Sequence, residues 1–336
     1  MKKRMLRASL CGFLGLAAAH LSAAEISRSV RVTAVKESVF LKGMVAKGQI
    51  DLSGNNVKTD SFDSSDAAFS NNGQYDPAKS KDNGDVATNS GLVNSLSVGN
   101  ANIWGRVSTG PGGTVSTGPN GAVGSRNWQL SGRKGIEPGY ARDDMNIEFP
   151  DVMVPFTENF RVPGGNPLLV TASGNWKVEG DLNRSLVVQS NVQAVVLVTG
   201  NINLAGSDDR IEIQPGASLR LYVAGEKAAI KGQGVINQAG NAAHFYYFGL
   251  PTNRELTLAG NAAFIGGIYA PSAALTLGGG GNDTKDFIGA SVSSTVKMNG
   301  HFNFHYDENL GRVGPDRRFV IKSWNEIPPS STVTFP

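Results

Sequence analysis

The chain has 336 residues, with 31 Lys and Arg against 28 Asp and Glu and a single cysteine. That length allows a large core, as one stacked array or as two ordinary domains, and one cysteine excludes a disulfide framework. The formal charge of +3 comes from the first few residues, so no clustered basic face marks nucleic acid as a partner.

Lys2, Lys3, Arg4 and Arg7 precede an apolar run from Ala8 to Leu21, which Ser22-Ala23-Ala24 closes before Glu25. Charged, apolar and small residues in that order predict a signal peptide over residues 1–24, cleaved after Ala24. The protein is therefore expected to be exported, to the periplasm, the cell surface or the extracellular space. The apolar run falls short of the roughly 20 residues a membrane helix needs, so no stable membrane span is expected after cleavage; an uncleaved anchor is the alternative. Cys11 sits inside the run behind Leu10, without the small residue a lipoprotein site requires. Cleavage removes four of the 31 cations and leaves 27 against 28 acidic residues, a near-neutral, thiol-free mature chain.

Residues 25–50 read as an N-terminal capping segment. Within Ile26 to Ala46, the residues Val30, Val32, Val35, Val39, Phe40 and Met44 fit one face of a helix, and the Val, Ser and Thr content fits a strand equally. Residues 51–142 form an Asp/Gly/Asn-rich first β-helical part with long loops. There Asp60, Asp63, Asp66, Asp76, Asp82 and Asp85 alternate with Ser and Asn, and Thr109 to Val115 is echoed by Thr117 to Val123. Residues 143–164 are a Pro-rich crossover, 165–310 are regular coils, and 311–336, with Trp324, are a C-terminal cover over the last coil.

Short apolar runs such as Val195 to Val198, Leu219 to Val223 and Val292 to Met298 alternate with Gly-Asn steps at Gly54, Gly99, Gly174, Gly200, Gly240, Gly260 and Gly281. Gly and Asn tolerate positive φ, so these steps predict corners between strands. Leu256-Thr-Leu258 returns as Leu275-Thr-Leu277 after 19 residues and as Val296-Lys-Met298 after 21. Each is followed by a Gly corner, at Gly260, Gly281 and Gly300, and then by an aromatic, Phe264, Phe287 and Phe302. Units of this size cannot bury their own apolar side and must stack. The predicted fold is all-β: a single-stranded, right-handed parallel β-helix or solenoid, capped by a short N-terminal helix or strand.

Gly54-Asn-Asn-Val-Lys-Thr-Asp-Ser-Phe-Asp-Ser64, Gly99-Asn-Ala-Asn-Ile-Trp-Gly-Arg-Val107, Gly260-Asn-Ala-Ala-Phe-Ile-Gly-Gly-Ile-Tyr-Ala-Pro271 and His305-Tyr-Asp-Glu-Asn-Leu310 together carry a resemblance over about residues 45–310. The chain resembles a family of uncharacterised bacterial envelope proteins, a β-helical domain of unknown function often found behind a minor-pilin or pilus-assembly segment. The resemblance implies a β-helix and an exported location, and it supplies no catalytic residues. Unlike the pilus-linked members, the chain has an ordinary signal peptide in place of a pilin start. Polymer-forming bactofilin-like scaffolds share short Gly-Asn coils but are cytoplasmic and lack such a signal.

Candidate chemistry is sparse. Gly206-Ser-Asp208-Asp209 is similar to the Gly-x-Asp-Asp step of pectin hydrolases, yet the Gly-His-Gly and Arg-x-Lys partners are missing, which favours a solvated turn over paired acid and base. Asp60, Asp63 and Asp66 have a spacing that suits calcium, although Asx-turns at β corners are the favoured reading. His301 and His305, near Asp307 and Glu308, are weak metal candidates. Strand alternation turns Phe302, Phe304 and Tyr306 inward and the two histidines outward. The expected function is a non-catalytic structural or surface-interaction protein of the cell envelope, presenting a β-helix face of Ser, Thr and Asn. Its partner would be a cell-wall or extracellular polysaccharide or another envelope protein. A polysaccharide lyase or hydrolase and a pilus- or secretion-associated assembly component are the alternatives, with calcium the one cofactor in view.

Overall fold

The computed structural model describes residues 29–53, 57–259, 263–278, 285–298 and 302–327. The predicted signal peptide with Cys11, the corners at Gly54, Gly260, Gly281 and Gly300, and His301 lie outside the described residues. The chain divides into two compact units, Met1–Val35 with Ile321–Pro336, and Lys36–Val320. Among the described residues the α-helices are Arg126–Leu130 and Leu310–Val313, five and four residues long. No helix among them is long and apolar enough to cross a membrane.

Strand Ser29–Ser38 pairs with Asp316–Ile327 in a two-stranded sheet. The N-terminal segment is thus a strand where it was equally compatible with a helix: its Val and Thr side chains are stiff at χ1 and pack better on a pleat. Val30, Val32, Val35, Ile321 and Trp324 of this sheet are exposed, Trp324 to 57%.

The unit Lys36–Val320 is built from three rows of parallel strands. The first ladder runs Gly174–Val178, Gln193–Val198, Ser218–Val223, Phe245–Gly249, residues 267–270, residues 290–293, Met44–Ala46, Val86–Thr88, Val107–Ser108 and Ala141–Arg142. The second runs Ile202–Leu204, Lys227–Ile230, Glu255–Leu258, 274–277, 295–298, Ile50–Asp51, Leu96–Gly99 and Val115–Thr117. In the third, Leu168–Val170, Leu186–Val188, Arg210–Ile213 and Gly234–Asn237 pair in turn. A further run of the third continues through 264–266, 287–289, Phe302–Asp307, Lys58–Phe62, Asn102–Trp104 and Ala122–Gly124. The chain visits third, first and second ladder in that order, again and again.

Alternation decides which side chains meet. In Ser218–Val223 the residues Leu219, Leu221 and Val223 are fully buried while Arg220 is exposed, and such residues from all three ladders form one apolar cluster from Met44 to Phe304. The repeat read from sequence is the register itself: Leu256 pairs with Leu275 and Leu275 with Val296. The aromatic column is Phe245, Phe264, Phe287 and Phe304, with successive centroids 4.5 Å apart from Phe264 to Phe287 and from Phe287 to Phe304. Phe287 is in register with Phe304 and not with Phe302, which sits opposite Lys285.

Gly-Asn steps divide their labour. At Gly200 a side chain would strike the backbone of Gly180 and Asp181 on the adjacent corner, while the Asn201 side chain accepts from Lys227 N on the next. A sharper requirement lies at Gly289, where φ is +140° and a β-carbon would collide with the Gly266 carbonyl. Gly289→Ala is expected to destabilise by about 3 kcal/mol, measured as a shift of the urea midpoint; a change below about 0.5 kcal/mol would mean the backbone relaxes freely there.

The order of strands in space differs from their order in sequence. Met44–Ala46, Ile50–Asp51 and Lys58–Phe62 follow the last C-terminal strands, so Phe302–Asp307 lies between two neighbours and not at an end. Residues 143–167 return from Ala141–Arg142 to Leu168–Val170 along the outside of the first ladder. On the way Met145 N bonds Thr109 O, Asn89 brackets the Ile147 backbone, Lys47 lies over Phe149, Tyr269 donates to Pro150 O, and Arg161 bridges Trp176. This strap, with Phe40 and Leu310, buries a second apolar cluster holding Val45, Tyr246, Phe248 and Val292. Phe245–Gly249 is consequently buried on both faces, which its unbroken apolar sequence requires.

Candidate functional site

The chemistry-bearing side chains that converge lie on the outer side of the third ladder, where Lys58–Phe62 meets Phe302–Asp307. His305 and Asp60 are register partners, so their side chains leave the same face of neighbouring strands. His305 Nδ1 is 2.5 Å from Asp60 Oδ1, and Nε2 is 3.4 Å from Asp286 Oδ1. Asp60 Oδ2 accepts from the Tyr75 hydroxyl at 2.8 Å and pairs with Lys58 Nζ at 3.0 Å. Lys58 and Arg126 both lie over the Trp104 ring, at 3.7 and 4.8 Å from its centroid.

His305 was expected outside, and it is buried. Phe302 and Phe304 do turn into the core, but the opposite side of their strand is roofed by the loop after Phe62, whose Tyr75 ring stacks on the imidazole at 3.7 Å. Burial alone would lower the His305 pKa; hydrogen bonds and charge from Asp286 and Asp60 outweigh it and hold the pKa above its ordinary value. Burial likewise would raise Asp286, and His305 reverses the sign to a lowered pKa. Burial, then the Asp60 charge, pushes Tyr75 well above the usual phenol range. Both ring nitrogens face carboxylates, so when the ring is protonated it has no free lone pair for a metal or for proton abstraction and the cluster is a buried ion pair.

The other predicted residues go separate ways. Asp63 accepts from Ser65 N and Oγ and pairs with Arg312 at 2.6 Å; Asp66 accepts from Ala68 N. Both form Asx-type turns in the roofing loop. Glu308 holds Ser61, Asn83 and Lys81, and the Asp307 Oδ1 accepts from Ser64 N and Asn309 N. Among the described residues no three His, Cys, Asp or Glu gather to hold a metal. Asp208 is exposed and Asp209 half-buried in a turn where Asp209 Oδ2 accepts from Gly206 N at 2.7 Å. Sequence reasoning missed Tyr75 and Asp286 as neighbours of His305, and Lys58 as a neighbour of Asp60, because strands and a loop remote in sequence supply them.

Two surfaces of the described residues stand apart from this cluster. On the second ladder the outward residues Asn203, Ala229, Thr257, Thr276, Lys297, Asp51, Ser97 and Ser116 line up in register. The hydroxyls of Thr257, Thr276, Ser97 and Ser116 make no hydrogen bond to any described residue. Outside the first ladder, a cleft of about 690 Å³ lies between the strap at 150–155 and the rings of Tyr222, Tyr246, Phe248 and Tyr269.

Residues 169–313 match the family model for DUF7305, a domain of unknown function. The DUF7305 match takes in the aromatic floor of the cleft, His305 and Asp286, and leaves Lys58, Asp60 and the strands of 44–142 outside it. No curated protein and no solved structure matches the chain.

Proposed function

We propose that the chain is an exported, non-catalytic parallel β-helix of the bacterial cell envelope that works by surface recognition, its outward Thr/Ser/Asn row engaging a linear, uncharged stretch of cell-wall or extracellular polysaccharide. The cyclic visiting of three parallel ladders supports the β-helix, and the charged start of the sequence supports export. The observation that carries recognition is the row on the second ladder. Its hydroxyls form two adjacent pairs, Thr257 with Thr276 and Ser97 with Ser116, each at the rung spacing of about 4.8 Å, unspent within the described residues, with one Lys297 beside one Asp51 between them. Such a surface offers many weak, evenly spaced polar contacts to a polymer and no concentrated charge.

The test pairs binding with catalysis. Wild-type protein and the variants Thr257→Trp and Thr276→Trp are incubated with insoluble cell wall and with soluble neutral and acidic glycans, with and without calcium. Retention on cell wall that falls about tenfold or more in both variants, with unchanged melting, is the expected result. New reducing ends or unsaturated products would show an enzyme instead, and retention indifferent to both variants would remove the row from the reading.

A further inference from the structure

We infer that the cleft outside the first ladder is a second binding site, for a carboxylated sugar, with Arg220 as the group that pairs with its carboxylate. The volume of about 690 Å³ falls within the 300–1,000 Å³ or so of small-molecule sites. One wall is the strap, held by the Tyr269 hydroxyl donating to Pro150 O at 2.7 Å. The floor is made of rings: Tyr222 stacks on Phe248 of the next strand with centroids 4.6 Å apart, and Tyr246 lies beside Phe248 on its own strand at 6.1 Å. Rings stacked on one another turn their edges outward, and a ring edge is the positive end of the quadrupole.

Arg220, in register with Tyr246, is exposed and has no ion pair or hydrogen bond among the described residues. By contrast Arg210 is matched to Glu212 and Arg312 to Asp63. The hydroxyls of Tyr222 and Tyr246 are equally without partners among the described residues. Burial, against a smaller opposing pull from Arg220, pushes Tyr246 up to about 12, so its hydroxyl stays a donor at any ordinary pH. Asp151, on the strap, is an exposed acceptor at the opposite wall. A cation with donors on the floor and an acceptor on the wall suit a ligand bearing one carboxylate and several hydroxyls. A fatty acid would meet the donors and the acceptor with methylenes, leaving them unpaired. This site is separate from the row on the second ladder.

The experiment is calorimetric titration of the whole protein with trigalacturonate, maltotriose and octanoate as probes, using wild type, Arg220→Gln and, as a charge-matched control, Arg254→Gln. Arg220 makes no hydrogen bond or ion pair among the described residues, so its variant is expected to melt within a few degrees of wild type. Trigalacturonate is expected to bind wild type and the Arg254 variant alike and the Arg220 variant at least tenfold more weakly, with maltotriose and octanoate tenfold or more behind. The inference is overturned by absence of trigalacturonate binding, by equal binding to the Arg220 variant, or by either other probe binding as well. A dimer that Arg220→Gln dissolves would make a second copy the occupant and overturn it too. Trigalacturonate binding that responds to Thr276→Trp and not to Arg220→Gln would overturn the cleft while leaving the row standing.

Discussion

Asp60→Ala is expected to destabilise the protein by about 3–5 kcal/mol, the usual consequence of removing one partner from a buried ion pair. Asp60 is fully buried, and its loss leaves His305 with Asp286 alone and strands the Tyr75 hydroxyl and Lys58. The pair also closes the chain on itself, since the two strands it joins lie 245 residues apart in sequence. The pH dependence carries its own sign. The His305 pKa is raised, so its stabilisation is full below the unfolded value of 6.5 and is lost as pH rises through the higher folded value. Asp286 and Asp63 are lowered, so theirs is present above 3.8 and lost as pH falls through their folded values. Urea titrations across the pH range are expected to show the His305 contribution to wild-type stability declining as pH rises above 6.5, and that slope shrinking in Asp60→Ala. A variant within 1 kcal/mol of wild type, with the same slope, would mean that the strand pairing holds without the ion pair.

Phe287→Ala is expected to cost about 3–5 kcal/mol, the range for truncating a buried aromatic to alanine. Phe287 is fully buried in the middle of the column, packed at 4.5 Å on Phe264 and at 4.5 Å on Phe304. Neighbours on both sides are tied into ladders by backbone hydrogen bonds, so the gap cannot collapse without bending three strands. Phe319→Ala, at a ring that is 69% exposed, should by comparison change stability by less than about 0.5 kcal/mol. Equal effects at the two sites, measured by chemical denaturation, would contradict the assignment of the column as the centre of the core.

The repeat at Leu256, Leu275 and Val296 could be read correctly because each strand pairs with the next one along the chain, so sequence spacing and register are the same quantity there. The third aromatic was misplaced by two residues for a related reason. Phe302 and Phe304 leave the same face of their strand, and alternation cannot choose between them; the backbone pairing of Phe302–Asp307 with 285–289 does. His305 shows a different gap. Period-two alternation tells which residues share a side with Phe304 and which do not, but it is silent on whether a distant loop roofs the other side. Tyr75 comes from such a loop, and its position follows from Asp66, Asp76 and Arg312 contacts that no local pattern records.

The sequence by itself determined what is local: short alternating strands, Gly-Asn corners where close backbones and side-chain caps are needed, and a parallel stacking period in the C-terminal half. Tertiary structure alone decided what joins remote segments. The N-terminal strands follow the C-terminal ones in space, a Pro-containing strap runs back along the first ladder, and Asp60 meets His305 inside the seam. The physical reason is that a parallel strand offers the same hydrogen-bonding edge to any strand of compatible alternation, so only mutual burial and charge across the seam select the neighbour.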